Sequence, residues 1–242
     1  MRADIDPNAQ VDALLNPRNV VIVGATDRPG NWAERVKRNL LRYGYPGPIY
    51  PFNPGRDSVW GAACYKSFAD LPEAPDHLVV LIPAKAVPAA LVDAANAGAR
   101  SATVMTSGFD EDEAARTLAL ELKLVIAQTG LAVSGPNCLG NMNGIAKFMT
   151  MPDDRPQKVS PGPVAVIGQS GGIAMSIKRT LEERGTDSGA VITSGNETGL
   201  TTADYIRYFA ARSDIRVIVS YLESVHDADA FLAACCAARD SG

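Results

Sequence analysis

Apolar residues in this chain fall into short unbroken runs, separated by stretches in which they recur every three or four positions. Residues 19–24, Asn-Val-Val-Ile-Val-Gly, form one such run, as expected of a strand buried on both faces. Trp32, Val36, Leu40 and Tyr43 then recur at helical spacing. The pattern continues with strands at 48–53, 77–83, 101–108 and 131–137, and with helices at 67–71, 85–97 and 110–129. The last helix opens on Asp110, Glu111, Asp112 and Glu113, four acids at the positive end of a helix dipole. Residues 152–163 are rich in Pro and charge and read as a linker. The alternation restarts with strands at 163–168, 189–194 and 216–223 and helices at 173–184, 202–212 and 228–239. Regular strand–helix alternation predicts an α/β fold with parallel, doubly wound sheets. Three strands make an incomplete doubly wound sheet whose third strand is an open edge, so a missing tail or a partner is expected to complete it.

Composition narrows the function classes. The 242 residues are 46% hydrophobic and 21% charged, enough for two ordinary domains without a disulfide or metal staple. A net charge of −4 and 6% aromatic residues argue against nucleic acid as the partner. No run of about 18 apolar residues predicts a membrane span, and Met1 to Pro7 lack the apolar core of a signal peptide. Cys64, Cys138, Cys235 and Cys236 include no Cys-x-x-Cys pair, so neither a zinc site nor a disulfide framework is expected. These features fit a reduced, cytoplasmic protein.

Several segments carry candidate chemistry, each at the carboxyl end of a predicted strand, where open α/β sheets bind ligands. Gly24-Ala25-Thr26-Asp27-Arg28-Pro29-Gly30 lies where Rossmann-type folds hold a pyrophosphate, but it is neither Gly-x-Gly-x-x-Gly nor a Walker A loop. Arg28, Arg35, Lys37, Arg38 and Arg42 follow it. After the second strand stand Asn53, Pro54, Gly55 and Arg56, where an NAD site usually places an acid; a cation suits a ribose phosphate, as in NADP or coenzyme A. Ile82, Pro83 and Ala84 read either as a flat backbone for an adenine or pantetheine chain or as an ordinary βα loop. Thr106, Ser107 and Gly108, with Asn137 and Cys138 of a Gly-Pro turn, sit at the next two strand ends; Cys138 reads as a reactive thiol or, with no base nearby in sequence, a small buried residue.

Gly168-Gln169-Ser170-Gly171-Gly172 joins a strand directly to a helix. It fits both an anion nest at a helix N-terminus and the Gly-x-Ser-x-Gly elbow of a serine hydrolase. The elbow needs a later acid and histidine; the chain has only His77 and His226, and too few strands follow Ser170 to seat them. Glu197, in Ser-Gly-Asn-Glu, and Glu223 emerge on the same edge, as carboxylates able to orient a histidine or accept a proton or as exposed loop acids.

Taken together, these segments resemble the α-subunit region of the NDP-forming acyl-CoA synthetases, the superfamily of succinyl-CoA synthetase and ADP-forming acetyl-CoA synthetase. The markers are the 15–25 segment, Tyr50-Pro-Phe-Asn-Pro, Ile82-Pro-Ala, Ser107-Gly-Phe, Gly135-Pro-Asn-Cys-Leu-Gly, Gly168-Gln-Ser-Gly and Ser194-Gly-Asn-Glu. The resemblance implies a Rossmann-like CoA-binding domain at 8–150 and a flavodoxin-like ligase domain at 160–242, truncated before its fourth strand. It also implies chemistry through an acyl phosphate and a phosphohistidine that phosphorylates ADP. On that pattern, Gly24, Ala25 and Thr26 would meet the CoA phosphates. Asn53, Pro54 and Arg56 would lie toward the ribose phosphate. Ile82, Pro83, Ala84, Thr106, Ser107 and Gly108 would line CoA, and Asn137 and Cys138 would lie near its thiol. Gln169, Ser170, Gly171 and Gly172 would hold the phosphoryl group, with Glu223 beside the phosphohistidine. The partners implied are CoA, a carboxylic acid or acyl-CoA, and an ATP-grasp domain or β-subunit that brings ADP or ATP with Mg. The family's His-x-Gly motif and its ATP-grasp part are not found here. The expected function is therefore the CoA-binding portion of a synthetase, with a regulatory CoA-binding module of an acyltransferase, or a hydrolase using Ser170, as alternatives.

Overall fold

The computed structural model describes residues 6–241. Helix α1 (Pro7–Leu15) opens the chain, capped by the Asp6 carboxylate, which accepts the Asn8 N–H, with Pro7 in the first turn. Then follow β1 (Val20–Val23), α2 (Trp32–Arg42), β2 (Ile49–Phe52), the short hairpin β3 (Ser58–Val59) and β4 (Ala62–Ala63), and β5 (His77–Val80). Next come α3 (Val87–Asn96), β6 (Ser101–Val104), α4 (Glu113–Thr129) and β7 (Ala132–Ser134). The remaining elements are β8 (Gly140–Asn143), β9 (Phe148–Met149), β10 (Val164–Gly168), α5 (Gly171–Glu183), β11 (Ser188–Thr193), α6 (Thr202–Ala210), β12 (Val217–Tyr221) and α7 (Ala228–Asp240).

The first sheet is parallel, in the order β2-β1-β5-β6-β7. Strands β1, β5, β6 and β7 are buried on both faces, while the edge strand β2 is partly exposed. Val21 and Val23 of β1 face one core with α3 and α4, while Val20 and Ile22 face the other with α2. Alternation along a strand sends neighbouring side chains to opposite faces, so a single strand serves both layers.

The second sheet has the order β12-β10-β11-β8-β9. Its parallel centre, β11-β10-β12, has the flavodoxin-like 2-1-3 order, with β12 at one edge and partly exposed. Sequence reasoning gave this sheet three strands. It has five, because β8 pairs antiparallel with β11, and β9 with β8. The sequence pattern predicts no strand over 140–149, residues that fall inside the first unit expected at 8–150. Asn141 and Asn143, both buried on β8, broke the apolar pattern that would have marked the strand.

Two further differences have local causes. Helix α1 was not foreseen; it packs on α6 and against β6, β7 and β8, burying Val11, Leu14 and Leu15 in the second core. Helix α4 starts at Glu113 rather than Asp110, because the Asp112 carboxylate accepts the Ala115 N–H at 2.8 Å and caps it. Among the described residues, no helix is long and apolar enough to cross a membrane.

Candidate functional site

A cleft of about 960 Å³ opens at the carboxyl ends of β1, β2 and β5. Gly24 ends β1 with φ +95°, and a Cβ there would stand 2.6 Å from the Leu81 carbonyl oxygen, so the turn needs glycine. The Phe52 carbonyl takes the N–H groups of Gly24 and Ala25, at 2.9 and 3.2 Å. Gly24, Asn53, Pro54, Ile82 and Pro83 line the cleft, above Phe52 and Phe68 stacked at 4.2 Å. Ala25 is buried behind the turn, and Arg56 is exposed just past Pro54 and Gly55.

The strand ends on the far side of the cleft are organised by hydrogen bonds. The Thr106 hydroxyl donates to the Ile82 carbonyl at 2.8 Å, tying the β6 loop to the β5 loop. Gly108, at φ +100°, lies against Ala84: a Cβ at 108 would stand 3.2 Å from that of Ala84. Ser107 is exposed beside them. Of the basic residues after the turn, Arg35 and Arg38 pair with Asp154 of the segment between the sheets, and Lys37 stands over the Trp60 ring at 4.8 Å.

A second site lies at the carboxyl end of β10. Ser170 is the N-cap residue of α5, but its side chain makes no capping bond. The first-turn N–H groups of α5 and the positive helix end therefore converge beside it. Gly171 lies under Leu139: a Cβ at 171 would come within 2.5 Å of Leu139 Cγ. Gln169 is buried, and its side chain binds backbone instead of opening outward. Its Oε1 accepts the N–H of Glu223 and Ser224, and its Nε2 donates to Ser224 O. Glu223 is exposed on the loop thus held.

The Gly135–Gly140 motif bridges the two sites. Gly135-Pro136 is a cis peptide, and Asn137 takes φ +60°. Pro136 O accepts the Asn196 N–H at 2.9 Å, and Gly135 O the Thr198 N–H at 3.1 Å, so the Ser194–Glu197 turn is bound to the end of β7. Asn137 Nδ2 donates to Asn196 Oδ1, and Asn196 Nδ2 to Asp110, both at 3.2 Å. Cys138 is buried, its thiol directed at Val104 O; burial pushes its pKa up to about 12, which disfavours the reactive thiolate. Glu197 is neither exposed nor turned to solvent: its carboxylate accepts the hydroxyls of Ser194 at 2.7 Å and Thr202 at 2.5 Å.

The hydrolase alternative finds no support in this geometry. His77 begins β5, at the opposite end of its sheet from the loops, with its ring nitrogens against Ser101 Oγ and Thr103 Oγ1. Among the described residues, Ser170 has no hydrogen bond to a histidine or a carboxylate that would activate it.

Residues 18–144 match the CoA binding domain family, and residues 161–241 match the succinyl-CoA ligase like flavodoxin domain. The chain belongs to the NDP-forming acyl-CoA synthetase superfamily. It is 34% identical, over 92% of its length, to an ADP-forming acetate–CoA ligase I α-subunit from Pyrococcus furiosus, covering 49% of that protein. It is equally identical, over 97% of its length, to a trans-feruloyl-CoA synthase from an unknown prokaryotic organism, covering 34% of it. A solved acetyl-coenzyme A synthetase 1 from Ca. Korarchaeum cryptofilum, in complex with phosphate and ADP, superposes with a TM-score of 0.86 at 30% identity. That match covers 94% of this chain and 49% of the other. The chain thus spans about a third to a half of the curated relatives it matches.

Within this synthetase-family chain, sequence reasoning missed the roles of Gln169, Trp60 and Asp154. Each acts on a segment remote in sequence, and only the folded chain brings them together.

Proposed function

We propose that this chain binds CoA in the cleft at β1, β2 and β5 and presents its thiol end to the Ser170 turn, as part of an acid–CoA ligase of the ADP-forming type. The observation that carries this reading is the Gly135–Gly140 motif, bound at once to the β6 edge of the cleft and to the Ser194–Glu197 turn of the second sheet. A cleft of about 960 Å³, floored by aromatic rings and edged by a glycine turn, suits a nucleotide with an extended tail.

In this reading, CoA supplies a thiol nucleophile. The turn begun by Gly24 and Ala25, whose own N–H groups are held by Phe52 O, receives its phosphates through the free N–H of Thr26, and Arg56 receives the ribose phosphate as a cation. Asn53, Pro54, Ile82, Pro83, Ala84, Thr106, Ser107 and Gly108 line its path, and Asn137 flanks its far end. Ser170, Gly171 and Gly172 hold an anionic acyl phosphate or phosphoryl group at the N-terminus of α5. Glu223 stands ready to orient a phosphohistidine, and Gln169 serves by holding the Glu223 loop. The histidine and the ADP- and Mg-binding part come from an ATP-grasp domain or β-subunit, in cis or in trans.

Isothermal titration with CoA, dephospho-CoA and NADP tests this. CoA should bind and NADP should not. Arg56→Ala should weaken CoA by about 10- to 150-fold while leaving dephospho-CoA unchanged, since a charge-assisted hydrogen bond contributes about 1.5–3 kcal/mol. Absence of CoA binding, or NADP binding at equal strength, would overturn the reading.

A further inference from the structure

Beyond the residues that line the cleft, we propose that Trp60 is a positioning residue for the phosphate-receiving turn 24–30, holding its peptide planes so that N–H groups rather than carbonyl oxygens meet the CoA pyrophosphate. This rests on the CoA reading above.

Trp60 and Gly61 form the two-residue turn between β3 and β4, at φ 57° and 74°. Such a turn favours Asn-Gly, and a left-handed backbone disfavours a bulky residue. Turn chemistry therefore does not account for tryptophan here; its contacts do. The indole Nε1–H donates to Thr26 O at 3.1 Å, and the Trp60 backbone N–H donates to Asp27 Oδ1 at 2.6 Å. Lys37 of α2 closes over the other side of the ring. From the cleft side, Asn53 Nδ2 donates to Ala25 O at 2.9 Å. The carbonyls of residues 25 and 26 are thus both held by side-chain donors.

In a trans peptide the carbonyl and the following N–H point opposite ways. Holding Ala25 O and Thr26 O therefore sets the directions of the Thr26 and Asp27 N–H groups, which take no acceptor among the described residues. Without the indole, the 26–27 peptide is free to rotate and turn a carbonyl oxygen toward the phosphate. The Trp60 backbone N–H, a separate contact that Trp60→Phe retains, draws the Asp27 carboxylate toward the hairpin, where it accepts a hydrogen bond instead of repelling the ligand. Preorganisation of this kind raises affinity by removing the ordering cost from the binding step.

The test uses the full 242-residue chain. Trp60→Phe keeps the ring and the backbone N–H but deletes the indole donor. CoA affinity is measured by calorimetry, beside Tm, for wild type and variant. In a separate Trp32→Phe protein, tryptophan emission comes from Trp60 alone. The expected result is a fall in CoA affinity of about 3- to 10-fold at unchanged Tm, the range one neutral hydrogen bond supports. Trp60 emission should also change on CoA saturation. Unchanged affinity in Trp60→Phe, a loss that only tracks a fall in Tm, or constant Trp60 emission overturns the proposal and leaves the CoA reading standing. Failure of the wild-type chain to bind CoA removes both.

Discussion

Gln169 Oε1 accepts the backbone N–H of Glu223 at 2.7 Å, and the same side chain both accepts from and donates to the backbone of Ser224. One buried amide at the end of β10 thereby determines where the loop after β12 runs. Gln169 stands between Ser170 and Gly168, the register partner of Tyr221, and the Tyr221 carbonyl takes the Gln169 N–H at 3.1 Å. The loop that carries Glu223 is consequently fixed to the turn that holds the proposed phosphoryl group.

Replacing Gln169 by Leu keeps the volume and removes all three bonds. The loop at 222–226 should exchange its amide hydrogens faster, by mass spectrometry. Stability in urea should fall by about 1–3 kcal/mol, as when buried polar groups lose their partners.

Gly171 and Gly172 should respond in opposite ways to the same change. A Cβ at 171 meets three atoms of Leu139 at 2.5 to 2.9 Å, whereas a Cβ at 172 meets nothing within 4 Å. Gly171→Ala should cost about 1–3 kcal/mol by forcing Leu139 aside. Gly172→Ala should be neutral or add about 0.5–1 kcal/mol through helix propensity. Urea titrations of the two variants give the comparison directly.

Stability should fall with acid in two stages. Burial pushes the His77 imidazole down to about 3, against the opposing pull of Asp76. Between pH 6.5 and about 3 the unfolded chain therefore binds a proton that the folded chain refuses, and stability drops as pH falls through that window. Burial works to raise the Asp76 pKa, but hydrogen bonds from Arg100 and Arg18 outweigh it and hold the carboxyl well below the usual range. That contribution is present above about pH 4 and is lost as pH falls further toward the folded value. A Tm series from pH 7 to 5 should be flatter for His77→Gln than for wild type. A steeper fall below pH 4 should disappear in Asp76→Asn.

Alkylation should separate the cysteines. Cys236 is exposed, while Cys64 and Cys138 are buried with raised pKa values. Iodoacetamide at pH 8 should label Cys236 first and reach Cys138 only after unfolding, because the thiolate is the reacting form. Peptide mass mapping would show the order.

Legibility followed locality. The strands β1, β5 and β10 are plain in the sequence because each is largely an apolar run bounded by turn residues, and so are the glycines at the ends of β1 and β10. The two candidate sites followed, since both lie at such strand ends. Less legible were elements whose partners are distant in sequence. Helix α1 has an alanine- and asparagine-bearing sequence with little amphipathic signal, and only Asp6-Pro7 announces its start. Strands β8 and β9 are short, and β8 buries asparagines whose amides are met from elsewhere: Asn143 Nδ2 bonds Leu15 O, and Asn141 Nδ2 bonds Thr103 Oγ1. The basic residues after Gly24 looked available to a ligand until folding brought Asp154 onto Arg35 and Arg38.

The antiparallel pair β8–β9 makes the two halves inseparable by a simple cut. A break at residue 150 would strip β11 of β8, one of its two neighbours, and hand the amino-terminal piece a hairpin with an unmatched row of backbone donors and acceptors. Helix α1, at the other extreme of that piece, would lose α6 as its bed. Dissecting the chain for separate study therefore calls for co-expression of complementary fragments, which should reassemble, rather than for isolated halves.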